Sequence, residues 1–298
     1  MNQIARLQNE PRALELLKAR QSTYRRASLV QGAQLVVAVV LPLALAVIGL
    51  VCEESRPWVA ITALAAVIFD TLVLDRRQRL LLERAAKISE QFDCEILEMD
   101  WDSFTAGRKL DRETIVGTAR SWRGDEATIR DWYPPVVAVA PVHLARLICQ
   151  RANLWYDSSL RKRLADGLLI ASLVVVVLGL VIGLAMHFDV EAFATTLVAP
   201  ATPFLAWSIR ERYRQSDAAS AIETIKSEAE DVWKLAAAGT CGPDETSARS
   251  RRFQNAIYGR RVANPLPLPF IYQLIRGEKE VEMNAGAEDM LREAGVNI

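Results

Sequence analysis

From Gly167 to Phe188 the chain reads GLLIASLVVVVLGLVIGLAMHF, without one Asp, Glu, Lys or Arg. As an α-helix these roughly 22 residues extend about 33 Å, enough for the ~30 Å hydrocarbon core of a bilayer. A helix that is apolar all round demands an apolar environment all round. The run is entered from a charged stretch, PVHLARLICQRANLWYDSSLRKR, whose Arg161, Lys162 and Arg163 stand at the join. Cationic side chains at such a join mark a cytoplasmic membrane face. One element therefore ties a water-facing region to a membrane span.

Three further runs share this character. Ala27 to Cys52 is charge-free over about 26 residues, with room to tilt, and Pro42 is expected to kink it by removing a backbone donor. Trp58 to Phe69 is too short alone, at roughly 18 Å; continued through Asp70 to Leu74 it reaches about 25 Å. Asp70 therefore lies in the cytoplasmic half of that span. Ala192 to Ile209 is the fourth run, with Pro200 and Pro203 inside it and Trp207 as an interfacial anchor. Basic flanks precede the first and third runs and follow the second and fourth, whereas the turns around Glu53–Pro57 and His187–Glu191 are net acidic. By the positive-inside rule both termini and the long middle segment are cytosolic.

The expected architecture is mainly α. An amphipathic helix in 1–26, lying in the cytosol or on the membrane surface, precedes transmembrane hairpin 27–74. Cytosolic segment 75–166, hairpin 167–209 and cytosolic segment 210–298 follow. The two long segments form a largely helical cytosolic domain. FDCEILEMDW fits helix or strand, and NPLPLPF is extended because residues before proline avoid the α region. The four cysteines, Cys52, Cys94, Cys149 and Cys241, are far apart and in no metal spacing, as expected of free thiols in a reducing compartment. No signal peptide is expected. The 36 Lys and Arg equal the 36 Asp and Glu, which gives no reason to expect duplex nucleic acid as a partner.

Enzyme signals are poor. There is no Gly-rich phosphate loop, no GxSxG elbow and no HExxH, and neither of the two histidines, His143 and His187, stands among convergent partners. No catalytic residue, metal site or cofactor is expected. Asp93, Glu95, Glu98, Asp100 and Asp102 read as solvated carboxylates pairing with nearby arginines, rather than a cation site. Asp70 carries two readings: a pore or packing role, or an interfacial carboxylate paired with Arg76 or Arg77. Gly179 and Gly183 form a GxxxG that permits close helix approach. Gln150, Asn153, Asp157 and Arg161 share one arc of a helix opposite Leu144, Ile148 and Trp155, either a salt-bridged amphipathic face or the wall of a ligand pocket. Arginines beside aromatics suit a nucleotide, through phosphate forks and base stacking. By that logic the candidate ligand residues are Arg151, Trp155, Arg161, Tyr258, Arg260, Arg261, Tyr272 and Arg276.

FDCEILEMDW, DWYPP, CQRANLWYDSSLRKR and YGRRVANPLPLPFIY, in that order around two hydrophobic hairpins, resemble the SMODS-associated four-transmembrane effectors over nearly the whole chain. The resemblance implies a bacterial inner-membrane protein of CBASS-type anti-phage signalling. A cognate nucleotidyltransferase would make a cyclic di- or oligonucleotide messenger. The effector would bind it, form a homo-oligomer in contact with membrane lipid, and breach the membrane. The competing reading is a non-catalytic scaffold that recruits a protein partner through its cytosolic helices; a lipid enzyme is disfavoured for want of a nucleophile–base or metal set.

The topology has a direct test. A cysteine placed at Ser55 should be labelled from outside the cell while Cys94 and Cys241 are spared; the reverse pattern overturns it.

Overall fold

The computed structural model describes residues 2–297, except the side chains of 46, 47, 49–51, 53, 56, 269–276 and 278. Among the described residues it holds helices and no strand. Helix α1 is Ile4–Leu7 and α2 is Pro11–Leu35; a π turn, Val36–Val40, carries α2 into α3, Leu41–Val51. After the 3-10 turn Glu53–Ser55 come α4, Arg56–Phe69, the π turn Asp70–Leu74 and α5, Asp75–Ile96. Short helices α6, Ser103–Ala106, and α7, Arg112–Ala119, precede two 3-10 turns, Glu126–Ile129 and Pro135–Val139. Helix α8 runs unbroken over Val142–Ala185. Then follow α9, Val190–Phe193, the π turn Ala194–Val198, α10, Ala199–Ala237, α11, Pro243–Ala263, and α12, Pro269–Glu293.

Among the described residues four helical rods are long and apolar enough to cross a bilayer, and each continues as a helix into the water-soluble part. Two of the π turns end two residues before a proline, at Pro42 and at Pro200. Proline lacks the N–H and its ring meets the carbonyl four residues back, so a widened turn just ahead of it relieves both defects without ending the helix. FDCEILEMDW is helical through Ile96 and stops where Glu98 takes φ of 52°, a left-handed C-terminal cap that lets Met99 N–H donate to the Cys94 carbonyl at 2.9 Å.

The N-terminal residues are not a surface-lying helix. Helix α2 passes from the soluble part straight into span 1, and its stripe of Leu14, Leu16, Leu17 and Ala19 is buried in the main core. That core also takes Ile88, Phe92, Ile115, Tyr133, Leu147, Ile148, Trp233, Phe253 and Leu291, so residues before span 1, between the hairpins and after span 4 make one soluble module. The apolar stripe, which the sequence left to the cytosol or the membrane surface, packs on protein, and nothing between Pro11 and Leu35 breaks the helix.

Arg20 Nε donates to Ser89 Oγ at 3.0 Å, and Ala27 packs with Leu82, which fixes α2 and α5 as antiparallel neighbours. Eight residues beyond the second contact on each helix, Leu35 stands level with Leu74. The stretch 27–34, with Ser28, Gln31 and Gln34, therefore runs beside the charged start of α5.

The main contacts place the spans in the order 2–1–4–3, with α4 on α3, α3 on α10 and α10 along α8. In the second hairpin a Cβ on Gly183 would stand 2.5 Å from the Phe193 ring, so this glycine lets the hairpin close, while Gly179 meets open space. Ser172 and Ser208 hydroxyls pair at 2.9 Å and both reach the Leu168 carbonyl, which satisfies two polar groups inside the hairpin.

Candidate functional site

Helix α5 brings Glu90 and Asp93, spaced i,i+3, into the interior of the soluble module, each 1% exposed. An unpaired carboxylate there would cost several kcal/mol, so cations and donors must converge on it. Helix α11 supplies them from one stripe. Arg251 Nη2 donates to Glu90 Oε1 at 2.5 Å, and Arg261 Nη1 to Asp93 Oδ2 at 2.5 Å. Gln254 Nε2 bridges both acids, at 2.8 Å to Glu90 Oε2 and 2.8 Å to Asp93 Oδ2. The Tyr133 hydroxyl donates to Asp93 Oδ1 at 2.7 Å, and Gln8 holds the Tyr133 backbone by both its N–H and its carbonyl. From α8, Gln150 Nε2 donates to the Ser250 carbonyl and to Gln254 Oε1.

The electrostatics follow from this closure. Burial works against the Arg261 cation, but the Asp93 carboxylate beside it holds its pKa above the ordinary arginine range. Burial, with Asp93 second, pushes the Tyr133 phenol up, so it stays a neutral donor. Burial and the Glu90 charge push the Cys94 thiol up to about 12, and burial raises Cys149 in the same sense; neither is a nucleophile near neutral pH. Asp93 is thus no solvated carboxylate. Of its acidic neighbours, Asp102 caps α6 and Asp100 offers its backbone carbonyl to Arg251.

A second set of bonds lies nearer the spans. Residues 264–268, between α11 and α12, are extended because prolines at 265 and 267 bar a helix. An extended strap exposes its carbonyls as acceptors. Arg161, 5% exposed, donates from Nη1 to the Pro265 carbonyl at 2.8 Å and to Gln215 Oε1 at 2.8 Å, and from Nε to Asp157 Oδ1 at 3.0 Å. Gln31 Nε2 donates to the Leu266 carbonyl at 2.7 Å, and Gln215 Nε2 to Glu211 Oε1 at 2.7 Å. The Leu266 side chain is buried against Ala27 and Leu82. The strap thereby touches α2, α5, α8 and α10, every helix that enters the membrane.

The residues expected to hold a nucleotide fall into separate places. Arg151 Nε is paired with Glu230 Oε1 at 2.9 Å, and Lys279 Nζ lies 4.9 Å from the Trp155 ring centroid. Gly286 of α12 is so close to Arg151 that a Cβ there would stand 3.3 Å from Nη1, so α12 covers the Arg151–Trp155 face. Arg161 is held by the strap, and Arg261 by Asp93. Tyr258 is buried with Ala86 and Ala106, and Arg260 is exposed. Tyr272 and Arg276 belong to α12, but their side chains lie outside the described residues. Asp70 opens the π turn of span 2, and no ion pair joins it to Arg76 or Arg77 among the described residues. The polar arc of α8 splits: Gln150 and Arg161 turn inward to protein partners. Sequence reasoning missed Glu90, Gln215, Gln31 and the strap carbonyls; of these only NPLPL carried a local signal, its extended backbone.

The family model of the SMODS-associating 4TM effector domain matches residues 2–290 of the chain. The chain is also similar to a probable CBASS effector molecule of Bacillus cereus (strain VD146), at 19% identity over 284 residues that cover 92% of this chain and 93% of that one. No solved structure matches.

Truncating one member of the buried set should show its weight. Asp93→Ala leaves Arg261 and Tyr133 without their acceptor and should lower unfolding stability by about 3–5 kcal/mol. Loss of the Asp231–Lys234 surface pair by Asp231→Ala should cost under about 1 kcal/mol. Thermal or denaturant unfolding of the detergent-solubilised protein distinguishes the two; equal effects would remove Asp93 from the centre of the module.

Proposed function

Because the chain belongs to the SMODS-associating 4TM effector family, we propose that it is a membrane effector of CBASS-type anti-phage defence, set in the bacterial inner membrane with its soluble module in the cytosol. In this reading a cyclic di- or oligonucleotide binds the module, copies associate, and the spans rearrange to permeabilise the bilayer. The observation that carries it is the strap at 264–268. A module that only recruited a partner has no need for one segment in contact with every helix entering the membrane. A messenger that moves α11 or α12 moves that segment, and a ligand shifts such an equilibrium only by its differential affinity for the two states.

The Arg151–Trp155 face supports the ligand side of the proposal. A carboxylate, Glu230, already sits on the guanidinium, and an ammonium, Lys279, already sits over the indole. A phosphate replacing the first and a base replacing the second would use the same two interactions more strongly, by charge-assisted bonding and stacking. Replacing Lys279 lifts α12, and replacing Glu230 frees α10 from α8 at this point.

Liposomes bearing the protein provide the test. Dye leakage should appear with one member of a panel of cyclic nucleotides and be absent without it. Arg151→Ala should weaken nucleotide binding by roughly ten- to hundredfold, the equivalent of a lost charge-assisted contact. Normal binding by that variant places the ligand elsewhere. Binding without leakage from the wild type leaves the scaffold reading.

A further inference from the structure

Phe104 is 99% exposed, more than any other large apolar side chain among the described residues, and it belongs to the soluble module, away from the lipid that covers the spans. One exposed apolar side chain is ordinary on a protein surface. What sets this one apart is how it is held out. Asp102 Oδ1 accepts from the Phe104 and Thr105 backbone N–H groups at 2.9 and 3.2 Å, and its Oδ2 accepts from Thr105 Oγ1 at 2.8 Å and from Asn255 Nδ2 at 2.6 Å. Ala106 is buried against Ala86 and Tyr258, and Trp101 Nε1 donates to the Gly107 carbonyl at 2.8 Å. The short helix α6 is thus tied at both ends with its ring in water. A ring fixed in place beforehand loses little freedom on docking, which makes it a strong anchor.

A hollow that suits such an anchor lies on the same module. Between α10 and α11 runs a groove of about 590 Å³. Ile225, Val232 and the 45% exposed Leu235 form one side of its floor, Phe253 and Ala256 the other. Glu228 stands on the α10 wall and Arg252 on the α11 wall. Both are exposed, and neither has an ion pair or hydrogen bond among the described residues; the same holds for Arg108, four residues after Phe104. The other charges of the rim are already paired, Arg249 with Glu245 and Asp231 with Lys234.

Anchor and groove share one height. Asn255 ties α6 to α11, and Arg252, Phe253 and Ala256 of the same helix, all within one turn of Asn255, line the groove. At about 100° per residue, Arg252 and Ala256 point roughly 60° and 100° away from Asn255. The two features therefore face different directions, and Phe104 leaves its own copy's groove unfilled. Spans hold every copy at the same depth and in the same sense, so a neighbour's groove reaches the level of Phe104 by lateral movement alone.

We propose that Phe104 of one copy docks in the α10–α11 groove of a neighbouring copy, with Arg108 against the neighbour's Glu228 and the neighbour's Arg252 over the ring. The contact is heterologous: each copy offers one anchor and one groove, so association does not stop at a pair. This rests on the reading that copies associate in the membrane, and it names the surfaces through which they do so.

The test uses full-length protein in liposomes, carrying Cys52→Ser so that only the three buried cysteines remain. Ser103→Cys beside the anchor and Asp231→Cys on the groove rim would be joined by a short bismaleimide, with and without a panel of cyclic nucleotides; glutaraldehyde would report association of any kind. With both cysteines in one chain a ladder should extend beyond the dimer. Ser103→Cys copies mixed with Asp231→Cys copies should stop at the mixed dimer, and either alone should give none. Phe104→Ala should abolish the ladder, and a ring this exposed is not needed for folding. Arg108→Glu and Glu228→Arg should each lower the ladder at least about threefold and together restore it. Glutaraldehyde dimers without the mixed cross-link would overturn this contact and leave the association itself standing. A cross-link of Ser103→Cys copies to each other, or a ladder unchanged by Phe104→Ala, would overturn it as well. Monomers alone with every reagent, with or without nucleotide, would remove both the contact and the reading it rests on.

Discussion

Two buried carboxylates set the organisation of the soluble module. Glu90 and Asp93 sit on the helix that leaves span 2, in an interior where a lone negative charge is not tolerated. Their partners come from Arg251, Gln254 and Arg261 on α11, with Tyr133 from the long connection and Gln8 from the N-terminus behind them. Segments more than a hundred residues apart must therefore meet at one place before any of them is stable there. Replacing such a set by apolar side chains can be neutral or even stabilising. Its value is specificity: bonding fixes which face of α11 meets α5, and so where the chain after α11 must run.

Where it runs is to the membrane edge. Helix α11 ends at Ala263, and the next five residues are pinned to the helices entering the bilayer, through Arg161, Gln215, Gln31 and the buried Leu266 side chain. Helix α8 then carries Arg161 into span 3 with no break up to Ala185. A packed element of this kind has few intermediate positions, because close-packed interiors deform in discrete steps rather than continuously. The same strap leads into α12, which lies over Arg151 and Trp155. One stretch of chain thus connects the proposed ligand face, the acidic pair and the spans.

The four spans were legible because hydropathy over ~20 residues is a property of local composition. The widened turns at Pro42 and Pro200 follow from proline chemistry, although the sequence alone pointed only to kinks. What escaped was pairing over long separations. Asp93 reads as one more acid in an acidic stretch until Arg261 is placed beside it, 168 residues away. Arg161 reads equally well as a surface ion pair or a phosphate fork until the Pro265 carbonyl is found within 2.8 Å. The surroundings of residues 27–34 escaped for the same reason: they carry no charge, and only the neighbouring α5 shows that they lie at the level of its arginines. The candidate ligand residues were chosen by type, and type does not decide whether an arginine is already satisfied by the fold.

In the proposed mechanism the soluble module acts on the membrane through rigid continuity at this junction. Its most direct test is a three-glycine insertion between Arg163 and Ala165, on the membrane side of Arg161, in protein reconstituted into liposomes. Nucleotide binding and dye leakage would be measured on the same preparation. Binding should persist at wild-type affinity while leakage is abolished, because span 3 no longer follows Arg161 and the strap. Leakage at the wild-type level with the insertion in place would contradict the account.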